Sequence, residues 1–189
     1  MLMNILELNL INCEGREKMK LLLHMCCGPC STYPIQELLK EEFEIHGLFY
    51  NPNIHPIEEH TKRKENVEKL SSITNIPVVF DDEFRQNEWE SMKDIGETRC
   101  NGCYSLRLEK AAQYAADNGY DAFTTTLLVS PYQKHDLIKE IGEYYSNKYG
   151  VDFAYRDFRP GFRQGQQIAK EMGLYRQKYC GCILSINNK

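Results

Sequence analysis

Cysteines form the most distinctive pattern in this sequence. Seven of the eight cysteines in the 189-residue chain fall into three short clusters, which are Cys26-Cys27-Gly28-Pro29-Cys30, Cys100-Asn101-Gly102-Cys103 and Cys180-Gly181-Cys182. Seven sulfurs exceed the four ligands that a tetrahedral zinc ion takes. They suffice for an iron–sulfur cluster with four cysteine ligands and for a second metal ion beside it. The clusters therefore predict a metal centre assembled from separate parts of the chain.

The spacing within each cluster decides whether its sulfurs can reach one site. In the second cluster a spacing of three puts both sulfurs on one side of a first helical turn, where the helix N-terminus favours the thiolate. Cys26 and Cys27 are adjacent and would point to opposite faces of a regular strand. Both reach one site only where the strand has ended, as Gly28-Pro29 predicts. In the third cluster a glycine separates the sulfurs, so that this loop can wrap around a metal ion.

Three other interpretations of the cysteines stay open at this stage. A structural zinc site could hold the tail against the rest of the fold, since two CxxC pairs are compatible with zinc. Cys27-Gly-Pro-Cys30 also resembles the redox motif of thiol–disulfide oxidoreductases, although the other two clusters would then have no role. A disulfide scaffold is the third interpretation, and it suits a small exported protein better than a chain of this length.

Composition and length indicate a soluble protein with one main domain. Apolar residues make up 42% and charged residues 26% of the chain, as in ordinary globular proteins, and no apolar run approaches the ~20 residues of a membrane span. The first ten residues lack a basic segment and contain Glu7, which is atypical of a secretory signal. We therefore predict a cytoplasmic location. Residues 1–18, with the isolated Cys13, are expected to be an appendage, and residues 19–189 a single catalytic α/β domain.

Strands and helices alternate in the predicted secondary structure. Apolar and β-branched runs predict strands over residues 21–27, 44–50, 76–80, 121–127 and 151–155. Helical periodicity predicts a helix capped by Ser31 or Thr32 and further helices over residues 57–73, 103–118, 130–150 and 165–172, with 81–99 irregular or weakly helical. The alternation predicts a mostly parallel sheet with helices on both faces. The carboxyl ends of its strands would bring the cysteines to one rim.

Polar residues accompany the cysteines at this predicted rim. The segment from Ser130 to Asp136 is unusually polar for a strand-to-helix junction. His135 or Asp136 could therefore act as acid or base, although helix capping explains them equally well. His55 follows the second strand and could deliver a proton, while a histidine of a surface loop is the commoner outcome. His24, within the first strand, is expected to be a core residue.

A basic and aromatic segment near the end of the chain indicates RNA binding. Residues 155–178 contain six arginines and lysines but only two acidic residues, whereas the whole chain carries a net charge of −4. Arginines interleaved with aromatic rings suit the phosphates and unpaired bases of RNA, and an ordinary basic helix explains the pattern equally well. Arg99 and Arg107 flank the second cysteine pair, where they could bind phosphate or offset the negative charge of a cluster. The RNA-binding candidates of the basic segment are Arg159, Phe162, Arg163 and Arg176.

Six motifs together resemble the QueH-type epoxyqueuosine reductases. The resemblance covers about residues 20–184, includes all three cysteine clusters in order, and leaves out the first 18 residues. The motifs are His24-Met-Cys-Cys-Gly-Pro-Cys-Ser31, Tyr50-Asn-Pro-Asn-Ile-His55, Arg99-Cys-Asn-Gly-Cys-Tyr104, Thr124-Thr-Thr-Leu-Leu-Val-Ser-Pro-Tyr-Gln-Lys-His-Asp136, Asp157-Phe-Arg-Pro-Gly-Phe162 and Leu174-Tyr-Arg-Gln-Lys-Tyr-Cys-Gly-Cys182.

This resemblance implies a fold, a reaction and cofactors. The implied fold is a Rossmann-like, three-layer parallel sheet of the adenine-nucleotide-α-hydrolase-like kind. The implied reaction is the last step of queuosine synthesis, the reductive removal of the epoxide oxygen from epoxyqueuosine at the wobble position of tRNA. The resemblance also implies a [4Fe–4S] cluster, a nearby second metal ion, expected to be iron, and independence from cobalamin. The electron donor stays unidentified.

The sequence alone leaves open how the seven cysteines divide between the two metal sites. With the resemblance as a guide, we expect the cluster to be held by Cys26, Cys100, Cys103 and Cys182. The second metal is expected at or near Cys27, Cys30 and Cys180. The second iron could bind the epoxide oxygen as a Lewis acid, and the expected catalytic residues, which include candidate proton donors, are His135, Asp136 and Cys30. The anticodon loop would be held by Arg159, Phe162, Arg163 and Arg176.

Two rival functions differ in their chemistry. A tRNA-thiolation or other nucleotide-activating enzyme on a related fold needs a Gly/Ser-rich pyrophosphate loop after the first strand. Here that turn is Cys-Cys-Gly-Pro-Cys-Ser, whose thiolates would repel phosphate. The other rival is a structural zinc protein that binds RNA without catalysis.

Overall fold

Five parallel strands form the sheet at the centre of the protein. The structure is a computed structural model that describes residues 18–41, 43–91, 98–182 and 185. The strands are β1 (Lys20–His24), β2 (Glu44–Tyr50), β3 (Val78–Asp81), β4 (Ala122–Thr125) and β5 (Asp152–Phe153), in the order β3-β2-β1-β4-β5. Strand β1 lies in the middle, and Leu21 pairs with Ile45 of β2 and with Ala122 of β4.

Helices cover both faces of this sheet. The helices are α1 (Gly28–Lys40), α2 (Ile57–Thr74), α3 (Gln86–Ser91), α4 (Thr98–Asp117), α5 (His135–Tyr149) and α6 (Phe162–Glu171), with 3₁₀ turns at Thr126–Val129 and Arg159–Gly161. Helix α1 packs against α2 and α6, while α4 packs against α5. None of the helices in the described part of the chain is long and apolar enough to cross a membrane. The predicted Rossmann-like parallel α/β fold, with helices on both faces of the sheet, is confirmed.

The central strand explains why the sequence folds in this way. Leu21, Leu22 and Leu23 are all fully buried, because a strand at the middle of a parallel sheet faces helices on both sides. Burying a leucine side chain contributes roughly 1.5–3 kcal/mol, so this run anchors the sheet. The strand order reverses at β1, and the loops that follow β1 and β4 therefore diverge at the point where such sheets form ligand sites.

The element boundaries near the cysteines differ from the predictions. Strand β1 ends at His24 and not at Cys27 as predicted, so that Cys26 and Cys27 both lie beyond the strand. Helix α1 is capped by Cys27, whose sulfur accepts a hydrogen bond from the Cys30 amide at 3.4 Å; capping by Ser31 or Thr32 was wrong. Helix α4 begins at Thr98 rather than residue 103, and Cys100 and Cys103 both lie in its first two turns.

Other boundaries shift because turns replace parts of the predicted elements. Strand β4 ends at Thr125 and continues as a 3₁₀ turn, and α5 begins at His135 because residues 130–134 form a turn. Strand β5 has two residues instead of five, and α6 begins at Phe162 rather than residue 165. The segment 81–99, predicted to be irregular or weakly helical, contains α3. Residues 1–17, with Cys13 and almost all of the predicted appendage, lie outside the described residues.

Candidate metal centre and adjoining cleft

Three thiols gather where β1 passes into α1, and we call them the thiol nest. The nest consists of Cys26, Cys27 and Cys30, which are buried and whose sulfurs lie within 4.8 Å of one another. The Thr126 hydroxyl donates to the Cys26 sulfur at 3.3 Å, and the Gln177 amide donates to the Cys30 sulfur at 3.0 Å. Residues from the middle and from the end of the chain therefore fix the nest, which can hold a metal ion.

The electrostatics of the nest suit a metal ion. Hydrogen bonds from Cys27 and Cys30 hold the pKa of Cys26 well below its ordinary value. Burial raises the pKa of Cys27, and hydrogen bonds to the other two sulfurs raise the pKa of Cys30. A metal ion binds cysteine as the thiolate, so a bound metal would displace the protons that the nest carries. Three sulfurs leave one position open on a four-coordinate ion, as catalytic metal sites require.

The other four cysteines of the clusters line a separate space, the cysteine cavity. Its volume is about 180 Å³, several times the roughly 30 Å³ that one water occupies in the liquid, so it has room for a polynuclear group. The start of α4 supplies two of its sulfurs and the tail supplies the other two. Burial raises the pKa of Cys103. The cavity is lined by Asn53, Trp89, Arg99, Cys100, Cys103, Tyr104, Arg107, Leu127, Gln133, Cys180, Cys182 and Ser185.

Two buried arginines border the cysteine cavity and differ in their partners. Arg107 donates from Nε and Nη2 to the side-chain oxygen of Asn53, at 2.8 and 2.6 Å. Arg99 has no hydrogen-bond partner for any guanidinium nitrogen in the part of the chain that the structure describes. Its guanidinium lies over the Trp89 ring, 5.5 Å from the ring centre. Both arginines lie where the sequence analysis expected phosphate binding or charge compensation.

A buried ion pair brings the tail back to the rim of the sheet. Arg63 of α2 donates to the Glu59 carboxylate at 2.8 Å and to the backbone oxygens of Tyr179 and Cys180 at 2.9 and 3.1 Å. The Tyr175 hydroxyl donates to the other Glu59 oxygen at 2.9 Å. Helix α2 therefore determines where the third cysteine cluster lies.

The loop after β2 holds the same part of the tail from the other side. The His55 amide donates to the Gly181 oxygen at 2.9 Å, and the Tyr179 hydroxyl donates to the His55 oxygen. Gly181 has a φ of +100°, and an added Cβ would lie 3.0 Å from the Ile54 Cγ1. Only glycine fits this conformation and this space without strain. His55 itself is buried, not exposed in a surface loop as the sequence favoured.

A larger open space, the outer cleft, adjoins the cysteine cavity. Its volume is about 470 Å³, and it shares Leu127, Gln133, Cys180 and Ser185 with the cysteine cavity. Tyr132 is 85% exposed, and its ring meets that of Phe162 edge-on with centres 6.0 Å apart. The lining residues are Cys26, Cys30, Arg63, Thr126, Leu127, Ser130, Tyr132, Gln133, Phe162, Gln166, Gln177, Lys178, Tyr179, Cys180 and Ser185.

The three expected catalytic residues lie in different surroundings. Cys30 lines the outer cleft, whereas His135 and Asp136 line neither space among the described residues. His135 is buried, with Nε2 3.2 Å from the Leu128 oxygen and 3.5 Å from the Asp157 carboxylate. Asp136 is exposed in the first turn of α5.

The predicted RNA-binding residues lie on segments that border the outer cleft. Phe162 is one of its lining residues, and Arg163 is exposed on the same helix. Arg176 is exposed beside Gln177, which also lines the cleft. Arg159 is exposed and donates to the Asp157 carboxylate at 2.7 Å, and this interaction lowers the pKa of Asp157 to about 2.

Several residues of the site escaped the sequence analysis. Arg63 lies in a strongly charged helix and was not singled out, although its i, i+4 spacing to Glu59 is typical of an ion pair. Tyr132, Thr126 and Gln177 lie within motifs that were noted without a role for them. His24 is in the core as expected: its ring nitrogens contact the Thr125 hydroxyl at 2.9 Å and the Tyr50 oxygen at 3.1 Å, and burial lowers its pKa to about 4.

Comparison with known proteins identifies relatives of the whole domain. The sequence model of a family described as epoxyqueuosine reductase QueH matches residues 21–188. A protein with that name from Dehalococcoides mccartyi is 37% identical over 167 residues, which cover 88% of this chain and 92% of the relative. Another from Thermotoga maritima is 38% identical over 175 residues, which cover 87% of this chain and 89% of the relative.

A solved structure supports the fold independently. It is described as a predicted subunit of a tRNA methyltransferase from Methanocaldococcus jannaschii, and it superposes with a TM-score of 0.52 over 81% of this chain and 76% of that one. At 13% sequence identity, this likeness concerns the fold alone.

Proposed function

Because the chain belongs to the epoxyqueuosine reductase QueH family, we propose that it removes the epoxide oxygen of epoxyqueuosine in tRNA. The reaction breaks two C–O bonds, forms a C=C bond, consumes two electrons and two protons, and releases water. The observation that carries this proposal is the pair of sulfur-lined sites that adjoin one open cleft. A tRNA substrate also agrees with the cytoplasmic location that we propose.

The two groups of sulfurs suit two different metal groups. We assign a [4Fe–4S] cluster to the cysteine cavity, held by Cys100, Cys103, Cys180 and Cys182, and a single iron ion to the thiol nest. Compared with the division expected from the sequence, Cys26 and Cys180 exchange places. Cys26 lies with the other two sulfurs of the nest, and Cys180 lines the cavity of the α4 cysteines. When bound, the cluster supplies single electrons and the iron ion supplies a Lewis acid.

The outer cleft suits the modified base. The side-chain amides of Gln133, Gln166 and Gln177 line it, and an amide offers both donors and acceptors to a base edge or a diol. Tyr132 and Phe162 at its edge offer aromatic faces to a base that has left the anticodon stack. Cys30, one of the predicted catalytic residues, also lines the cleft and brings the thiol nest into contact with the substrate.

The tRNA backbone would be bound outside the cleft. Arg159, Arg163 and Arg176 are exposed on α6 and the flanking segments, where their charges can contact the phosphates of the anticodon loop. His135 contacts Asp157, which binds Arg159. We therefore propose that His135 positions this arginine, and that neither His135 nor Asp136 touches the substrate.

The local structure after β1 argues against a nucleotide-activating enzyme. The N-terminus of α1 is capped by the Cys27 sulfur, and the surrounding residues from Gly28 to Thr32 are buried. A pyrophosphate would need open backbone amides at this point. Metal and sulfide analysis distinguishes a zinc protein from an iron–sulfur protein, since zinc sites contain no acid-labile sulfide.

The test uses the full chain purified without oxygen. We expect about five irons and about four acid-labile sulfides per chain. With dithionite as the electron source, tRNA carrying epoxyqueuosine should lose one oxygen atom from that nucleoside, measured by mass spectrometry after digestion. The zinc-loaded protein and a reaction without dithionite serve as controls. Zinc without sulfide, or tRNA that stays unchanged with a fully loaded protein, would contradict the proposal.

A further inference from the structure

Arg99 is a buried charge whose partner is missing. It is 4% exposed, and each of its three guanidinium nitrogens lacks a hydrogen-bond partner among the residues that the structure describes. The side chain lines the cysteine cavity with the α4 cysteines and Cys182. The face of Trp89 covers it at 5.5 Å.

Such an arrangement requires an anion in the cavity. Burying a charge without hydrogen bonds costs far more free energy than a cation–π contact returns. Arg107 borders the same cavity but is satisfied by Asn53. Among the described lining residues there is no aspartate or glutamate, and the groups there that can supply negative charge are the cysteine sulfurs and what they bind.

We propose that Arg99 is the charge-compensating residue of the anionic metal–sulfur group in the cysteine cavity and that it raises the reduction potential of this group. The inference rests on the proposed function. Reduction adds a negative charge to the cluster, so a fixed positive charge nearby stabilises the reduced form more than the oxidised form. Trp89 keeps water away from the guanidinium, and the interaction is therefore weakly screened. Arg99 is a positioning and tuning residue that does not contact the substrate.

The test measures a potential, which a merely structural residue would not change. We would compare Arg99→Gln, Arg99→Met and Arg99→Lys with the unchanged protein, and determine iron, sulfide and the midpoint potential by EPR-monitored titration. The neutral variants should have a more negative potential, and the lysine variant a smaller shift. Arg85→Met is the control, because Arg85 pairs with Glu83 at the surface and lies outside both sites; its potential should not change.

The outcomes separate this inference from the proposed function. A loaded cluster with an unchanged potential in Arg99→Gln and Arg99→Met would overturn the role of Arg99 and leave the function intact. An unchanged protein that binds no cluster would overturn the cofactor assignment itself. If the neutral variants fold but bind no cluster while Arg99→Lys binds it, the positive charge is required already for assembly, which supports the inference.

Discussion

Arg63 of α2 binds the backbone of Cys180, with Nη1 3.1 Å from the carbonyl oxygen, across a separation of 117 residues. The same guanidinium lies close to the thiol nest. Burial by itself would lower the pKa of Arg63, but the neighbouring Cys27 sulfur and the Glu59 carboxylate raise it. One side chain therefore connects the two groups of sulfurs.

Replacing Arg63 by methionine should release the tail. Glu59 would be left buried without its partner, and breaking a buried ion pair in this way costs about 3–5 kcal/mol of unfolding free energy. We expect lower urea stability and loss of sulfide from the cysteine cavity. Lys64→Met is the matched control, since the neighbouring Lys64 pairs with Asp82 at the surface. Full sulfide content in a folded Arg63→Met variant would contradict this role.

Replacing Gly181 by alanine should displace the third cysteine cluster. The residue has a φ of +100°, and the new methyl group would lie 3.0 Å from Ile54 Cγ1 and 3.1 Å from Arg63 Nη1. Gly119→Ala is the matched control, because Gly119 has a φ of +68° and nothing within 4 Å of the added Cβ. The control should lose about 1–2 kcal/mol of unfolding free energy, from backbone strain alone, and should keep its iron and sulfide.

Thermal unfolding and sulfide content distinguish these two glycines. We expect Gly181→Ala to lose more stability than the control and to bind less sulfide. Equal stability losses together with full sulfide content in both variants would show that the close approach at Gly181 does not matter.

Two cysteine substitutions decide between the divisions of the ligands. If the cluster lies in the cysteine cavity, Cys180→Ala should lose sulfide and most of the iron, whereas Cys26→Ala should keep about four sulfides and lose about one iron, since a [4Fe–4S] cluster takes four cysteines. The opposite result would support the division expected from the sequence. Cys13→Ala is the control. Cys13 lies outside the described residues, and this variant should keep the full content of iron and of sulfide.

The sheet and the thiol nest were predictable because both depend on residues that are close together in the sequence. The buried leucines of β1 and the strand–helix alternation specify a parallel sheet, and the turn after β1 brings together the sulfurs of Cys26, Cys27 and Cys30. The start of α1 was less predictable, because Cys27 uses its sulfur as the helix cap while hydroxyl and carboxylate side chains are the usual caps.

The grouping of the cysteines could not be predicted, because it depends on contacts between distant residues. Where Cys180 lies is determined by Arg63 and by the loop around His55. The sequence shows Arg63 as one of many charges on a polar helix. The turn at residues 130–134, after which α5 begins, likewise depends on a distant residue. The Tyr104 hydroxyl donates to Gln133 Oε1 at 2.6 Å and accepts from the Lys134 amide at 3.2 Å.

Tyr132 should contribute to tRNA binding by stacking on an unpaired base. Stacking of this kind is worth about 1–3 kcal/mol per base, so Tyr132→Ala should weaken binding of tRNA carrying epoxyqueuosine by about 5- to 150-fold. Tyr132→Phe should keep most of the affinity, because the aromatic face remains. Tyr144→Ala is the matched control: Tyr144 is 61% exposed on α5 and does not line the outer cleft. Fluorescence anisotropy with a labelled tRNA measures the affinity, and iron content should stay unchanged in all three variants. If Tyr132→Ala binds as tightly as Tyr144→Ala, the base does not stack on Tyr132, and the aromatic contact of the substrate would have to come from Phe162 or Tyr179, whose rings also line the cleft.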